Sequence, residues 1–309
     1  MKKVLFATTA LVASAGFASA EISISGFAEM GVTGGDYYGV GADDLQFHND
    51  IGINVDMSGE TDGGLTFGAH MELDDTNGAG AINGHWAADN ESVFISGAFG
   101  TLTLGETDGA FDKRLKEVAL AGGSIADDET IHAGYNGNSG LDGSQDNQIL
   151  RYDYTFGDFG FSASLEQDSN GAGSDDIWGV GVSYNADMGG IGLGFGLGYQ
   201  TNSINDVVGV SLAADFGNGF EAAVNYSDLD GVVVNGMPTD SHIGVGVAYS
   251  MDALTVAANW GEYDYVGAGS QDGYGLVVNY DLGGGATVVA GYGDGDYDAS
   301  YSLGLSLSF

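Results

Sequence analysis

The sequence predicts an all-β fold: a transmembrane, antiparallel β-barrel of sixteen strands. Large apolar residues alternate with small or polar ones in many short stretches. In the last of these, Tyr301 to Phe309, every odd position is apolar and every even one is Ser or Gly. A period of two is typical of a strand with two unlike faces. The stretches recur sixteen times, and most of the carboxylates within them share one face.

The first twenty residues predict an export signal rather than a strand. Lys2 and Lys3 precede an apolar run from Val4 to Phe17, and the small residues Ala18-Ser19-Ala20 are typical of a cleavage site. We therefore expect residues 1–20 to be removed and residues 21–309 to form one barrel domain.

The stretch 188–205 carries no charge and is long enough for a membrane helix. It contains six Gly residues, each of which costs about 1 kcal/mol relative to Ala in a helix interior. Its apolar residues also alternate with Gly. A strand is therefore the better interpretation of this stretch.

The predicted strands follow one another along the whole mature chain. They are expected at 22–33, 46–57, 64–74, 91–99, 101–107, 147–156, 159–168, 177–186, 191–201, 206–216, 220–229, 242–250, 254–263, 273–282, 286–293 and 300–309. Short connections such as 58–63, 187–190 and 217–219 alternate with longer polar loops, a layout typical of outer-membrane barrels. No strand is apolar on both faces, which disfavours a parallel sheet covered by helices.

The two faces of the predicted strands differ in charge, because one is nearly free of charge and the other is acidic. The acidic residues on the polar face are Glu29, Asp50, Asp56, Glu72, Asp74, Asp153, Glu166, Asp215 and Glu221. Lipid excludes such carboxylates, so we expect the apolar face to contact acyl chains and the acidic face to contact water. A sixteen-stranded barrel is too wide for side chains to fill, which leaves an aqueous channel.

The composition is strongly acidic and rich in Gly. The chain has 44 Asp and Glu residues against 6 Lys and Arg, a formal net charge of -38, with 56 Gly and no Cys. Such a chain repels nucleic acid, so we expect no nucleic-acid partner and expect cations to associate with it. Without Cys, no disulfide framework is expected even though the protein is predicted to be exported.

A family resemblance is carried by four segments: the mature start EISISGFAEMGV, then ESVFISGAFGTLTLGETDGAFDK, NQILRYDYTFGDFGFSASL and the terminal YDLGGGATVVAGYGDGDYDASYSLGLSLSF. They resemble general diffusion porins of Gram-negative bacteria, especially the Rhodobacter-type porins of photosynthetic alphaproteobacteria. The resemblance implies a homotrimer in the bacterial outer membrane that contacts lipid and lipopolysaccharide. It also implies passive diffusion of ions and small hydrophilic solutes, no enzyme activity, no required cofactor, and a third long loop folded into the pore.

The longest connection, between the strands that end near Thr107 and begin near Asn147, spans about forty residues and matches that constricting loop. Porins of this family set wall arginines against loop carboxylates. Here Glu106 stands where many relatives have an arginine, and Arg151 is the basic residue left on the wall. The loop residues expected at the constriction are Asp108, Asp112, Lys113, Arg114, Lys116, Asp127, Asp128 and Glu129. The other wall residues expected to line the pore are Asp50, Glu72, His48 and His70.

Carboxylates around a narrow aqueous pore lower the energy of a cation and raise that of an anion. The acidic excess therefore predicts a channel that favours cations. The same carboxylates could bind Ca²⁺, which prefers six to eight oxygen ligands. The candidate calcium ligands are Asp127, Asp128 and Glu129, although no EF-hand spacing is present.

Two other classes of protein stay open from the sequence. A secreted calcium-binding β-roll fits the abundance of Asp and Gly, but it needs nine-residue repeats in register, and none is present. A barrel-embedded outer-membrane hydrolase needs Ser or Asp with His at one rim, and no nucleophile or zinc motif is present. The histidines are scattered, with His85, His132 and His242 in or beside loops. We expect no catalytic residue.

Overall fold

The structure, a computed structural model, describes residues 20–35, 45–75, 86–125, 127, 129–145, 147–167 and 175–309. The predicted export signal lies outside the described residues apart from Ala20, so it stays a prediction. Within the described ranges, no helix is long and apolar enough to cross a membrane. Residues 192–201 form a strand, as their alternation with Gly predicts.

Sixteen antiparallel strands close into a single barrel, which confirms the predicted fold class. They are β1 (Glu21–Gly34), β2 (Gln46–Glu60), β3 (Thr66–Asp75), β4 (Trp86–Gly97), β5 (Gly100–Gly105), β6 (Ile149–Phe156), β7 (Phe159–Glu166), β8 (Ile177–Asp187), β9 (Gly192–Thr201), β10 (Asp206–Asp215), β11 (Phe220–Val234), β12 (Met237–Met251), β13 (Leu254–Tyr265), β14 (Gly269–Gly283), β15 (Ala286–Gly295) and β16 (Ser300–Ser308). Each strand pairs with its neighbours in sequence, and β1 also pairs with β16, where Phe27 lies opposite Ser308. This last pairing closes the sheet, so no edge strand is left exposed.

The two faces of the wall differ as the alternation predicts. In β8, Trp178 and Val180 point outward and are 57% and 45% exposed, whereas Gly179 and Gly181 point inward and are buried. The antiparallel register keeps side chains of one face together across strands, so Val180 lies opposite Tyr199 of β9. The outward face is therefore an apolar band, and such a band around a barrel is a lipid-contacting surface.

The connections in the second half of the barrel are shorter than the sequence predicts. The alternation predicts that β11 ends near residue 229 and β12 begins near residue 242, with a polar loop between them. In the structure both strands continue to a tight turn at Asn235-Gly236, where the φ angles are 52° and 78°. Asn and Gly tolerate positive φ, which is why Asn-Gly forms hairpin turns. Short and long connections thus alternate only as far as β8.

The connection between β5 and β6 folds into the barrel, as predicted for the third long loop. We call residues 106–148 the inner loop. Its Phe111, Leu115 and Leu141 are buried together with Ile177 and Val207 of the wall. The apolar core of the molecule therefore lies inside the barrel, between the inner loop and the wall.

Candidate pore constriction

The inner loop lies directly on a row of inward-facing glycines. A Cβ added to Gly196 would come within 2.2 Å of the carbonyl oxygen of Arg114, and one added to Gly246 within 2.0 Å of that of Val118. These approaches are far below van der Waals contact, so only Gly lets the loop backbone come this close to the wall. The glycines that come this close to the loop backbone are Gly181, Gly196, Gly246, Gly261, Gly273, Gly291 and Gly293, and those that lie against loop side chains are Gly198, Gly209 and Gly275. We call these residues the glycine track.

Serines on the same inward face hydrogen-bond to the inner loop. The amide of Ala110 donates to Ser164 Oγ on β7 (2.9 Å), and the amide of Lys116 donates to Ser211 Oγ on β10 (2.8 Å). With Ser300 and Ser302 of β16, the track and the serines together run from β7 through β16. The loop is therefore held along one side of the lumen instead of crossing it.

A cluster of three charges anchors the start of the inner loop. Asp153 on β6 accepts hydrogen bonds from two arginines: Arg151 Nε lies 2.8 Å from Asp153 Oδ2, and Arg114 Nη2 of the loop lies 3.2 Å from Asp153 Oδ1. The side chains of Arg151, Arg114 and Asp153 are 6%, 13% and 19% exposed. Two guanidinium groups thus share one carboxylate, and the cluster keeps one net positive charge. The sequence places all three residues in the region but does not reveal their pairing.

Both arginines make further hydrogen bonds across the loop and the wall. Arg114 Nε donates to Ser162 Oγ (2.7 Å), and Arg114 Nη2 donates to the carbonyl oxygen of Phe161 (2.8 Å). Arg151 Nη1 donates to Thr107 Oγ1 at the start of the loop (3.0 Å). The predicted pore arginines are thus used to fasten the loop to β6 and β7, and little of either side chain reaches water.

Two carboxyl groups of the inner loop are largely buried. Asp142 accepts hydrogen bonds from the amide of Gly109 (2.7 Å) and from Gln200 Nε2. Burial raises the pKa of Asp142 to about 7. Burial also raises the pKa of Asp112 to about 8, with further increases from nearby acids, Asp108 first. Both carboxyls therefore bind protons near neutral pH, although the sequence counts each as a full negative charge.

We expect Asp112 to make the folded barrel less stable as the pH rises. Its pKa is about 8 in the folded chain and about 4 in the unfolded chain. Between these values the folded state binds the extra proton, so stability is present at low pH and is lost as the pH rises towards about 8. Asp112→Asn stays neutral, so its melting temperature in detergent should fall less between about pH 6 and about pH 9. The control is Asp158→Asn on an exposed turn; equally steep falls in both variants would contradict this expectation.

The wall that the inner loop leaves largely uncovered is acidic. Strands β1 to β5 contain no Lys or Arg. Their register places Asp50 opposite Glu29 and Asp56 opposite His70, with Glu72 on the same face. His70 Nδ1 lies 2.8 Å from Asp56 Oδ1, and these side chains are 35% and 54% exposed. This side of the lumen therefore presents carboxylates to water.

The remaining predicted charges lie on the inner loop or at its base. Glu106 accepts a hydrogen bond from Asn147 Nδ2, so it ties the two ends of the loop together. Lys113 and Asp108 are exposed, whereas Lys116 is half-buried. The loop thus presents both signs of charge to the lumen.

The candidate calcium ligands are only partly described. Asp127 is exposed and Glu129 is half-buried, and Asp128 lies outside the described residues. No group of three or more acidic or His side chains is arranged to hold a metal ion within the ranges that the structure describes. Calcium binding at this cluster therefore stays a prediction.

Two histidines depart from the sequence-based expectation. His48 is predicted to line the pore but is only 6% exposed, because Ile125 of the inner loop lies against Gly31, the residue opposite His48. His242 is predicted beside a loop but lies within β12, because that strand is longer than predicted. Its ring contacts the segment of the inner loop that contains His132. The histidines are scattered in the sequence, which shows neither that the inner loop covers His48 nor that His242 contacts the inner loop.

These features define a class of protein. A closed barrel with an apolar outer band, an acidic water-facing wall and a loop folded into the lumen is a channel of the outer-membrane porin class. Comparison with known proteins identifies the family within that class.

The chain belongs to the Gram-negative porin family, whose model matches residues 7–300. A porin of Rhodobacter capsulatus is 30% identical over 321 residues, which cover 94% of this chain and 100% of the relative. A porin of Fuscovulum blasticum is 26% identical over 289 residues, 87% of this chain and 92% of the relative. Two engineered variants of Rh. blastica porin share the fold, each with a TM-score of 0.72, 23% identity and coverage of 94% of this chain and 100% of the solved one.

Membership of this family confirms the resemblance that the sequence carries. It also places the protein in the bacterial outer membrane as a porin channel, and it points to a channel rather than an enzyme. The fold, the location and the class of function are thus the same as those expected from the alternation of the strands and the quoted segments.

Proposed function

We propose that this channel passes ions and small hydrophilic solutes by passive diffusion and favours cations. The observation that carries the proposal is the acidic wall of β1 to β5, which contains Asp50, Asp56 and Glu72 and has no Lys or Arg. The basic residues lie on the other side of the lumen, where Arg114 and Arg151 share Asp153. The positive charge of these two arginines is therefore partly neutralised, whereas Lys113 stays exposed on the inner loop.

The arrangement at the anchor differs from the family pattern that the resemblance implies. That pattern sets wall arginines against loop carboxylates, whereas here the loop contributes Arg114 and the wall contributes the carboxylate of Asp153. Charges 4 Å apart interact with about 4 kcal/mol at an effective dielectric constant near 20, before salt screening. The carboxylates on the wall across the lumen face no Lys or Arg on their own strands, so they exert the stronger field on a permeating ion, and that field attracts cations.

The proposal predicts the sign of a reversal potential. In a planar bilayer with a KCl gradient, the wild-type channel should show preference for K⁺ over Cl⁻, because lumen carboxylates raise the local cation concentration. The double variant Asp56→Asn, Glu72→Gln should lose part of that preference. Asp158→Asn removes one carboxylate from an exposed turn outside the lumen wall, and this variant should keep the preference for K⁺. A wild-type channel that preferred Cl⁻ would overturn the proposal.

We also propose that the barrel assembles as a homotrimer embedded in outer-membrane lipid and lipopolysaccharide. The small residues Gly26 and Ala28 on β1 and Gly97 on β4 support it, because small side chains on an outward face allow close approach of a second wall. Ala98 follows in the adjoining turn. Light scattering of the detergent-solubilised protein should give the mass of three chains, and a monomer alone would contradict the assembly.

No cofactor is required for diffusion, but we propose that Ca²⁺ associates with the acidic loops, with Asp127 and Glu129 as candidate ligands beside Asp128. The support is the excess of carboxylate oxygens, which are the donors that Ca²⁺ prefers. Calorimetric titration should show binding and a raised melting temperature. If the carboxylates contact only water, the Ca²⁺ titration should release no heat and the melting temperature of the protein should stay unchanged.

A further inference from the structure

One segment of the inner loop, Thr130 to Tyr135, is bound to the wall through a histidine. His132 is 5% exposed, and its Nε2 lies 2.5 Å from Asn259 Oδ1 on β13. The Nδ2 group of Asn259 donates in turn to Thr130 Oγ1 (3.3 Å). The loop and the wall are thus joined by a side-chain amide that acts as acceptor for His132 and as donor for Thr130.

A second histidine reaches the same segment from the neighbouring strand. His242 on β12 is 1% exposed, and its Nε2 lies 2.9 Å from the carbonyl oxygen of Gly134. Its ring packs against Tyr263, with ring centres 4.5 Å apart. The hydroxyl of Tyr263 donates to the carbonyl oxygen of Tyr135 (3.1 Å). Three side chains of β12 and β13 therefore hold this segment of the loop.

The hydrogen bonds of His132 require a neutral ring. Its Nε2 faces the oxygen of Asn259 and must donate a proton to it, whereas its Nδ1 accepts a hydrogen bond from the amide of Gly134 (3.2 Å). A second proton would have to lie on Nδ1, where it would face the N–H of Gly134. Protonation of His132 is therefore incompatible with the docked position of the segment.

His242 is under the same restriction. Its Nε2 donates to the carbonyl oxygen of Gly134, so a second proton would lie on Nδ1. That atom is buried and has no hydrogen-bond partner among the residues that the structure describes. A buried charge without a partner is costly, so the docked segment also excludes the charged form of His242.

We propose that His132 and His242 form an acid-sensitive latch, which positions the inner loop against β12 and β13 and releases it when the imidazoles are protonated. We call these two residues the histidine latch. The hydrogen-bond partners of both rings are amide and carbonyl groups rather than carboxylates, so they offset only part of the cost of burying a charged ring.

The other titratable groups that face the latch are tyrosines, and one of them, Tyr135, is hydrogen-bonded to a carboxylate. Tyr135 lies edge-on to His132 at 6.4 Å between ring centres, and its hydroxyl donates to Glu117 Oε2 (2.9 Å). Tyr263 packs on His242, and Tyr265 stacks on Tyr263 at 6.1 Å. A charged His132 on the segment and a charged His242 on the wall would also repel each other, which adds to the release.

The direction of the pH effect follows from the proton count. Burial lowers the pKa of His132 in the docked segment, against the opposite effect of its hydrogen bond to Asn259. In the released segment a histidine has its ordinary pKa near 6.5. Below that value the released state binds more protons, so docking is favoured above about pH 6.5 and is lost as the pH falls. Each histidine changes the docked-to-released ratio by up to about tenfold per pH unit.

Single-channel recording tests the latch. A released segment can only move away from the wall and into the lumen, so the wild-type channel should spend less time at full conductance at about pH 5 than at about pH 7.5. The variant H132Q/H242Q should lose most of this acid response, because a Gln amide can donate like Nε2 but does not titrate in this range. The matched control is His70→Gln, which removes a lumen histidine paired with Asp56 and away from the segment, and it should respond to acid like the wild type.

A second measurement on the unmodified protein covers the case in which the double variant folds poorly. Hydrogen exchange of the Gly134 amide, corrected for the intrinsic effect of pH, should be slow at about pH 7.5 and accelerate at about pH 5. The proposal is overturned if wild-type conductance and Gly134 protection are both unchanged by acid, or if H132Q/H242Q closes in acid as the wild type does. A cation preference that failed in the reversal-potential experiment would leave this result unaffected.

Discussion

Replacement of Asp153 by Asn is expected to loosen the inner loop and to shift the selectivity of the channel towards anions. Asp153 is the carboxylate that Arg114 and Arg151 share, and all three side chains are at most 19% exposed. Removal of one partner from a buried ion pair costs about 3–5 kcal/mol, because the other charge stays buried without compensation. Here two guanidinium groups would be left. We expect a melting temperature lower by several degrees and a reversal potential displaced towards Cl⁻.

The control for this experiment is Asp158→Asn, which removes a carboxylate from the exposed turn between β6 and β7. This variant should change neither the melting temperature nor the reversal potential appreciably, because an exposed charge contributes little to stability. A double variant with Arg114→Gln should recover part of the selectivity shift, since it removes one of the two uncompensated charges. An unchanged melting temperature and reversal potential in Asp153→Asn would show that the cluster does not anchor the loop.

The second large effect is expected from Gly196→Val on the glycine track. The added Cβ would lie 2.2 Å from the carbonyl oxygen of Arg114 and 3.0 Å from Leu115 Cα, whereas ordinary contact begins at about 3.4 Å. The part of the inner loop around Arg114 and Leu115 must therefore move into the lumen by more than about 1 Å, or the barrel must fail to assemble. Single-channel conductance should fall in the assembled fraction, and the fraction itself should be smaller.

Gly192→Val is a closely matched control for Gly196→Val. It lies on the same strand and the same inward face, but the nearest atom to its added Cβ is Asp215 Cβ at 3.7 Å, which is ordinary contact. Both substitutions add the same side chain to the same strand, so a difference between them reports the inner loop together with Ser211 Oγ, the wall atom 2.6 Å from the added Cβ of residue 196. Wild-type conductance and assembly in Gly196→Val would show that the loop does not lie on the track.

The strands could be predicted because the lipid and the lumen impose unlike chemistry on alternate residues, as in Leu303 and Ser302 of β16. That constraint ends where a strand rises above the lipid. At the top of β11 the pairing with β12 shifts between Asp228 and Val232, so the period of two is lost and apolar residues lie on both faces, with Val232 buried and Val233 exposed. The residues between Leu229 and Ser241 therefore predict a loop although they pair as a hairpin. The alternation therefore locates the membrane-spanning part of a strand more reliably than its full length.

The path of the inner loop could not be predicted from the sequence. Its length indicates that it folds inward, but its position depends on contacts between distant residues, such as Arg114 with Ser162 and His132 with Asn259. The glycine track was visible as Gly on the polar face, for example at Gly196 and Gly198. Such glycines suit any crowded strand, and only the structure shows that a loop backbone lies against them.

The assignment of the two faces is tested most directly by single cysteines on β2, because the chain contains no Cys of its own. Asn54→Cys and Asp56→Cys should react quickly with a charged thiol reagent added from the water phase, and the reaction should reduce the current through the channel. Val55→Cys and Met57→Cys should not react, because their side chains belong to the apolar face. Equal reaction at all four positions, or reaction at Val55→Cys and Met57→Cys alone, would contradict an aqueous lumen lined by the acidic face.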